Sequence, residues 1–244
     1  AAMGATPAWA TLCITIPEIN TTWLSEFMRG FSDLASKFKV QLIGGDTTQG
    51  PLSISIQLHG FVPKEKALKR DKASIGDSVF VSGTLGDAGL ALLKNHKINF
   101  PDSSLLYLKD RLDRPTPRVE LGVALRSYDA SAIDISDGLY ADLNHLCDKT
   151  EKGMTINLNQ IPLSNEVKSY VEKTYDWSVP LSSGDDYELA FTIPAKLRSK
   201  FLEESEDLDV LITEIGNVDQ EPGIKIIDSN GNILSNLAGY EHFK

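Results

Sequence analysis

The chain has 244 residues, of which 41% are hydrophobic and 24% charged, and its net charge is −10. That is enough material for one large domain or two modest ones with a real core, and the acidic balance argues against nucleic acid as the main partner, since phosphate backbones demand basic patches. No apolar run approaches the roughly 18 residues that span a bilayer, and Ala1-Ala2-Met3-Gly4-Ala5 lacks the basic and apolar regions of a signal peptide, so a cytoplasmic protein without membrane contact is expected.

Thr11 to Ile16 alternates polar and apolar residues and predicts a strand that Pro17 stops. Cys13 lies in it and Cys147 in a later helix; without Cys-x-x-Cys spacing, both read as buried free thiols in a reducing compartment. Thr21 and Thr22 offer an N-cap to a helix with Leu24, Phe27, Met28, Phe31, Leu34, Ala35 and Phe38 on one face. Val40 to Ile43 predicts a short strand running into Gly44-Gly45-Asp46-Thr47-Thr48. Two glycines there open conformations closed to other residues and let a ligand approach the backbone. Asp46 then sits at the strand mouth, as a cation ligand or as an ordinary turn cap. Leu52, Ile54, Ile56 and Leu58 alternate with Ser53, Ser55 and Gln57 in a strand with one buried face, which ends at Phe61-Val62-Pro63. Lys64 to Lys72 is basic and polar, either a solvated linker or the source of a phosphate-contacting cation. A boundary near Ala73 gives domains over 1–73 and 74–244.

The second domain alternates strands and helices, which predicts an α/β or α+β fold with mixed sheets. Strands are predicted over Ser78–Ser82, Ser131–Ile135, Met154–Leu158, Glu188–Ile193, Val210–Val218 and Ile224–Ile227. Helices are predicted over Gly86–Asn95, Ser104–Leu112, Arg118–Ser127, Leu139–Lys149, Asn165–Tyr175 and Lys196–Glu204. Gly83-Thr84-Leu85-Gly86-Asp87-Ala88-Gly89 imitates a dinucleotide fingerprint, but its spacing is G-x-x-G-x-x-G; tight helix–strand packing explains it better than an anion at the helix start.

Asp134-Ile135-Ser136-Asp137-Gly138 carries more chemistry. Alternation puts Asp134 and Ser136 on one face of an otherwise apolar strand, where a carboxylate is costly unless paired or metal-bound. Asp137 stands at the strand-to-helix junction, as a metal ligand or as the cap of the following helix. Ser182-Ser183-Gly184-Asp185-Asp186-Tyr187-Glu188 places two adjacent carboxylates before another strand, a weaker sign of a small polar ligand. The four histidines share no metal spacing, Gly-x-Ser-x-Gly is absent, and no Gly-Lys-Ser/Thr marks a P-loop. An acidic protein whose ligands are phosphates needs divalent metal to relieve the repulsion.

Gly44-Gly45-Asp46-Thr47-Thr48, Leu58-His59-Gly60-Phe61-Val62-Pro63, Ile133 to Leu139, Asp186-Tyr187-Glu188-Leu189 and Gly239-Tyr240-Glu241-His242-Phe243 follow one another in an order that resembles the thiamine-monophosphate kinases, of the aminoimidazole-ribonucleotide synthetase superfamily. Arg114-Pro115 and Pro117-Arg118 also fit. The resemblance implies two α/β domains, dimerisation through the first domain's sheets, and transfer of the ATP γ-phosphoryl group to thiamine monophosphate with several Mg²⁺ ions. It implies metal ligation by Asp46, Asp134 and Asp137, nucleotide contact by Gly45, Asp46, Arg70 and Ser136, and substrate contact by Asp185 and Tyr240. Asp185 stands where the family commonly has Glu, and Gln49 where some members carry Arg. No residue is expected to serve as general base or nucleophile. The resemblance places Ala1 well inside the first domain, so that domain is expected to be incomplete, with an incomplete metal site and a chain that is unstable, oligomeric or inactive when it starts at Ala1. Sister enzymes such as selenophosphate synthetase or a hydrogenase-maturation dehydratase often use a catalytic Cys, which Cys13 and Cys147 do not suit by position; a truncated, non-catalytic nucleotide-binding module is the other alternative.

Overall fold

A computed structural model of the chain describes residues 1–93, 98–234, 237 and 239. It folds into two compact units, one of Ala5–Glu65 and one of Ala1–Gly4 with Lys66–Lys244. The first unit holds β1 (Thr6–Ile16), α1 (Thr21–Lys37), β2 (Gln41–Gln49) and β3 (Ser53–Phe61). The second runs β4 (Ser78–Ser82), α2 (Asp87–Leu92), α3 (Asp102–Asp113), α4 (Val119–Leu125), β5 (Ser131–Asp134), α5 (Leu139–Thr150) and β6 (Gly153–Asn157). It continues through α6 (Asn165–Thr174), α7 (Ser178–Ser182), β7 (Leu189–Ile193), α8 (Arg198–Ser205), β8 (Ile212–Asp219) and β9 (Gly223–Ile227). The expected mixed α/β architecture is present in both units.

In the first unit the order is β2-β1-β3, with β1 parallel to β2 and antiparallel to β3. Leu12, Ile14 and Ile16 are buried against Trp23, Leu24, Phe27 and Met28 of α1. Cys13 falls on the other side of that alternation and is exposed, so it is not the buried thiol expected; Cys147 is. The α1 cap is Asn20 rather than Thr21 or Thr22: its Oδ1 accepts the Trp23 N–H at 3.0 Å, and both threonines lie inside the first turn.

Two further expectations change. Gly44 to Thr48 continues β2 and does not form its mouth, because these residues pair with Thr11 to Thr15 of β1. At Gly45 (φ +150°) the two backbones touch; a Cβ there would lie 1.8 Å from the Leu12 carbonyl oxygen. That glycine is required by strand contact. Along β3, Ile54, Ile56 and Leu58 pair with Ile14, Leu12 and Ala10 yet stay 39%, 51% and 62% exposed. Among the described residues these three side chains join no buried apolar cluster, so the apolar face expected to be buried is open.

The second unit has a six-stranded sheet in the order β5-β7-β4-β8-β6-β9, antiparallel except for β6 with β9. Both of its faces are covered. Val79, Val81, Ile133, Ala190 and Met154 pack with Leu139, Leu143 and Leu146 of α5 on one side. Phe80, Ala132, Leu189, Phe191 and Ile193 pack with Leu121 and Leu125 of α4 and Phe201 of α8 on the other. Phe80 and Phe191 stack at 5.6 Å, and Phe201 meets Phe80 edge-on at 5.3 Å. This double-sided core makes the central strands apolar throughout and pushes polar chemistry to the strand ends.

Candidate active site

β5 is a short edge strand whose last residue, Asp134, lies opposite Leu189 of β7. Ile133 and Ile135 enter the core, and the intervening Asp134 and Ser136 are half-buried, as the alternation predicts. Beyond Asp137 the chain turns at Gly138 (φ +107°) into α5. A Cβ at Gly138 would meet the Ser182 backbone at 2.7 Å, so the turn is pressed against the loop that precedes β7.

That second loop, Ser183 to Glu188, is hydrogen-bonded directly to the first. The Ile135 N–H donates to the Glu188 carbonyl (2.8 Å) and the Tyr187 N–H to the Ile135 carbonyl (2.9 Å). The Asp185 N–H donates to the Ser136 carbonyl at 3.0 Å. Gly184 (φ +75°) permits this approach, since a Cβ there would sit 2.2 Å from the Ser136 carbonyl oxygen. Asp185 and Tyr187 adopt φ of +59° and +50°, a conformation side chains resist. The Tyr187 hydroxyl donates to Asp185 Oδ1 at 3.3 Å. Burial raises the Tyr187 phenol pKa, and the charges of Asp185, Asp134 and Asp137 raise it further, so these three acids share one neighbourhood.

Asp137 does not cap α5; the helix start at Gly138 has no side-chain cap. Instead Asp142, 2% exposed in the first turn of α5, reaches back, and its Oδ2 accepts the N–H groups of Ser136 (2.9 Å) and Asp137 (3.0 Å). Burial raises the Asp142 pKa; the two amide hydrogen bonds oppose that, and the nearby Asp137 and Asp134 charges add to it. His145, one turn further on, brings a ring nitrogen within 4.8 Å of carboxylate oxygens of Asp137 and Asp142. Sequence reading passed over this pair, although Asp142-x-x-His145 has the i, i+3 spacing of neighbours on a helix.

The adjacent acids of the second loop diverge. Asp185 is half-buried beside the first loop, whereas Asp186 is buried and accepts the Gly86 N–H at 2.9 and 3.1 Å. Burial pushes the Asp186 carboxyl up to about 7, Gly86 lowering it and Asp87 raising it. Glu188 is buried too, gripped by Arg118 through two bonds of 2.7 and 2.6 Å, by Arg111 at 3.1 Å and by Ser82 Oγ at 2.6 Å. Burial raises the Glu188 pKa, but hydrogen bonds from Arg118 and Ser82 and the charges of both arginines hold it below the usual range. Arg111 also bonds Asp87 at 3.2 Å, and Asp87 further accepts from Thr84 and Tyr107. The Gly83 to Gly89 segment is thus a packing turn, with Gly83 lying against Glu188 and Gly86 against Pro180.

Arg70 is exposed and follows Lys69, whose carbonyl accepts the Ala132 N–H at 3.1 Å beside β5. Gly45 and Asp46 belong to the first unit, on β2, where Asp46 is exposed and its Oδ1 accepts the Thr47 N–H at 2.8 Å. Tyr240 lies outside the described residues. A separate cleft of about 520 Å³, lined by Thr84, Ser104, Tyr107, Ser164 and Glu166 among others, contains none of the expected site residues.

Asp134, Asp137 and Asp185 therefore gather about two interlocked loops; among the described residues none of them forms an ion pair, although the Ala1 ammonium interacts electrostatically with Asp134. Asp134, Ser136 and Asp137 also lack side-chain hydrogen bonds there. Clustered carboxylates beside an unused hydroxyl form an oxygen donor set suited to a hard divalent cation.

The chain matches the AIR synthase related protein N-terminal domain over residues 1–62 and the C-terminal domain over residues 74–229. It is 42% identical to the thiamine-monophosphate kinase of Escherichia coli K12, over all of this chain and 76% of that protein. The crystal structure of thiamine-monophosphate kinase from Stenotrophomonas maltophilia superposes with a TM-score of 0.86 at 39% identity, covering 96% of this chain and 75% of that one. AaThiL complexed with AMPPCP and TMP superposes at 0.82 with 35% identity, covering 99% and 75%.

Proposed function

Because this chain belongs to the thiamine-monophosphate kinase family and is a kinase, we propose that it transfers the γ-phosphoryl group of ATP to thiamine monophosphate, giving thiamine diphosphate and ADP. The observation that carries this reading is the meeting of Asp134, Asp137 and Asp185 on two hydrogen-bonded loops, with no ion pair to any of them among the described residues. The acceptor needs no general base: a phosphate monoester has a second pKa near 6, so it is mostly dianionic at pH 7 and already nucleophilic. What remains is to bring two anions together and align them for in-line transfer.

Asp134 and Asp137 in the second unit, and Asp46 in the first, are the proposed Mg²⁺ ligands. A divalent metal held by these residues would supply the positive charge that offsets the repulsion between phosphates and this acidic chain. Ser136, Arg70 and the Gly45–Asp46 backbone are the proposed nucleotide contacts. Asp185, one methylene shorter than a Glu would be, and Tyr240 are the proposed substrate contacts. A cytoplasmic homodimer assembled through the first unit's sheet fits the open apolar row of β3.

The complete protein incubated with ATP, Mg²⁺ and thiamine monophosphate is expected to give thiamine diphosphate and ADP in equal amounts by liquid chromatography. Free phosphate without thiamine diphosphate would overturn the acceptor. Undiminished product in excess EDTA would overturn the metal requirement.

A further inference from the structure

The two peptide planes that flank Ser136 are held from both sides. On one side the carbonyls of Ile135 and Ser136 accept the N–H groups of Tyr187 and Asp185 at 2.9 and 3.0 Å. On the other, the N–H groups of Ser136 and Asp137 both donate to one oxygen of Asp142, at 2.9 and 3.0 Å. These two peptide units set the directions in which the Ser136 and Asp137 side chains leave the backbone. The second loop fixes one edge of each plane, and Asp142 fixes the other. Asp142 is 2% exposed and sits among like charges, an environment that disfavours a carboxylate. Asp142 is the acid of the first turn of α5, whose start at Gly138 has no side-chain cap.

We propose that Asp142 is a positioning residue for the metal loop: by accepting both amides it fixes the orientation of Asp137 and Ser136, acting through hydrogen bonding and not as a ligand itself. The proposal rests on the reading of Asp134 and Asp137 as metal ligands. Groups that orient metal ligands in this way typically contribute about 10- to 100-fold to metal affinity or activity.

The chemistry separates acceptor from charge. Asn keeps one oxygen able to accept both amides and loses the negative charge, whereas Ala loses both. Mn²⁺ affinity is measured by isothermal titration calorimetry on the whole protein, with the thermal midpoint recorded for each variant. Asp142→Ala is expected to bind Mn²⁺ about 10-fold more weakly, and Asp142→Asn to restore affinity close to that of the unsubstituted protein. A lower thermal midpoint with unchanged Mn²⁺ affinity in Asp142→Ala would overturn the proposal, because it marks a purely structural residue. Equal loss in Asp142→Asn and Asp142→Ala would overturn it as well, making Asp142 a ligand through its charge. Should Asp142→Ala fail to fold, the Asn variant decides by the same criterion: retained affinity supports positioning, and lost affinity overturns it. Asp134→Asn and Asp137→Asn serve as references. If neither weakens Mn²⁺ binding, the metal reading itself fails, an outcome distinct from failure at Asp142 alone.

Discussion

Asp185 and Asp186 are neighbours in sequence and opposites in circumstance. The first is half-buried on a strained loop beside other acids; the second is sealed under the N-terminus of α2. Folded Asp186 keeps its proton up to about pH 7, whereas an unfolded Asp releases it near 3.8. Between those values the folded chain binds the extra proton, so this group's contribution to stability is full below the lower value and is lost as pH rises through the upper one. The effect is at most on the order of 4 kcal/mol. Asp186→Asn removes it, and urea midpoints measured from pH 4 to pH 8 should fall less steeply than in the unsubstituted protein; equal slopes would show that Asp186 is ionised throughout. None of this is legible locally, because the Gly86 amide that receives Asp186 is 100 residues away. Asp134 was legible, since a carboxylate interrupting an apolar strand stands out wherever the strand lies. Asp142 was hidden by looking like one more polar residue on a helix.

Adjacent glycines in β2 provide a test at the level of the element. Gly44 has open space where a Cβ would be, whereas at Gly45 the added carbon would lie 1.8 Å from a β1 carbonyl. Gly44→Ala should therefore change stability by no more than about 0.5 kcal/mol, and Gly45→Ala should destabilise by roughly 3 kcal/mol or break the β1–β2 pairing. Equilibrium unfolding followed by circular dichroism measures both, and equal effects would mean that β2 does not approach β1 as closely as described. The sequence could show that the glycines matter but not why, since turn and strand contact use the same residue type. The apolar runs Ser78–Ser82 and Glu188–Ile193 were read as strands almost to the residue, because burial on both sheet faces leaves an unbroken signature. The short helix Ser178–Ser182 was missed, its five residues with a central proline being too few for any period to appear.

At the scale of the molecule the open feature is the row Ile54, Ile56 and Leu58 on an edge strand of the small sheet. Edge strands with an apolar face favour pairing between chains. Copies of this protein are expected to associate reversibly at micromolar concentration, and Ile56→Glu to shift the sedimentation coefficient toward that of a single chain. A concentration-independent coefficient in both proteins would assign the row another role. The reading of two domains over 1–73 and 74–244 came from the order of patterns along the chain. The open face was not, since alternation shows that a strand has an apolar side without saying what covers it.

The knot of Glu188, Arg111, Arg118, Asp87 and Ser82 has one consequence that concerns descent more than folding. Its charges balance only as a set, and removing one partner of a buried pair costs about 3–5 kcal/mol, whereas replacing the whole set with apolar groups of similar volume can be nearly neutral. Single steps away from it are steep while the distant alternative is level. Sequence drift therefore has no gradual route out, and these positions, scattered from 82 to 188, should be inherited together or lost together.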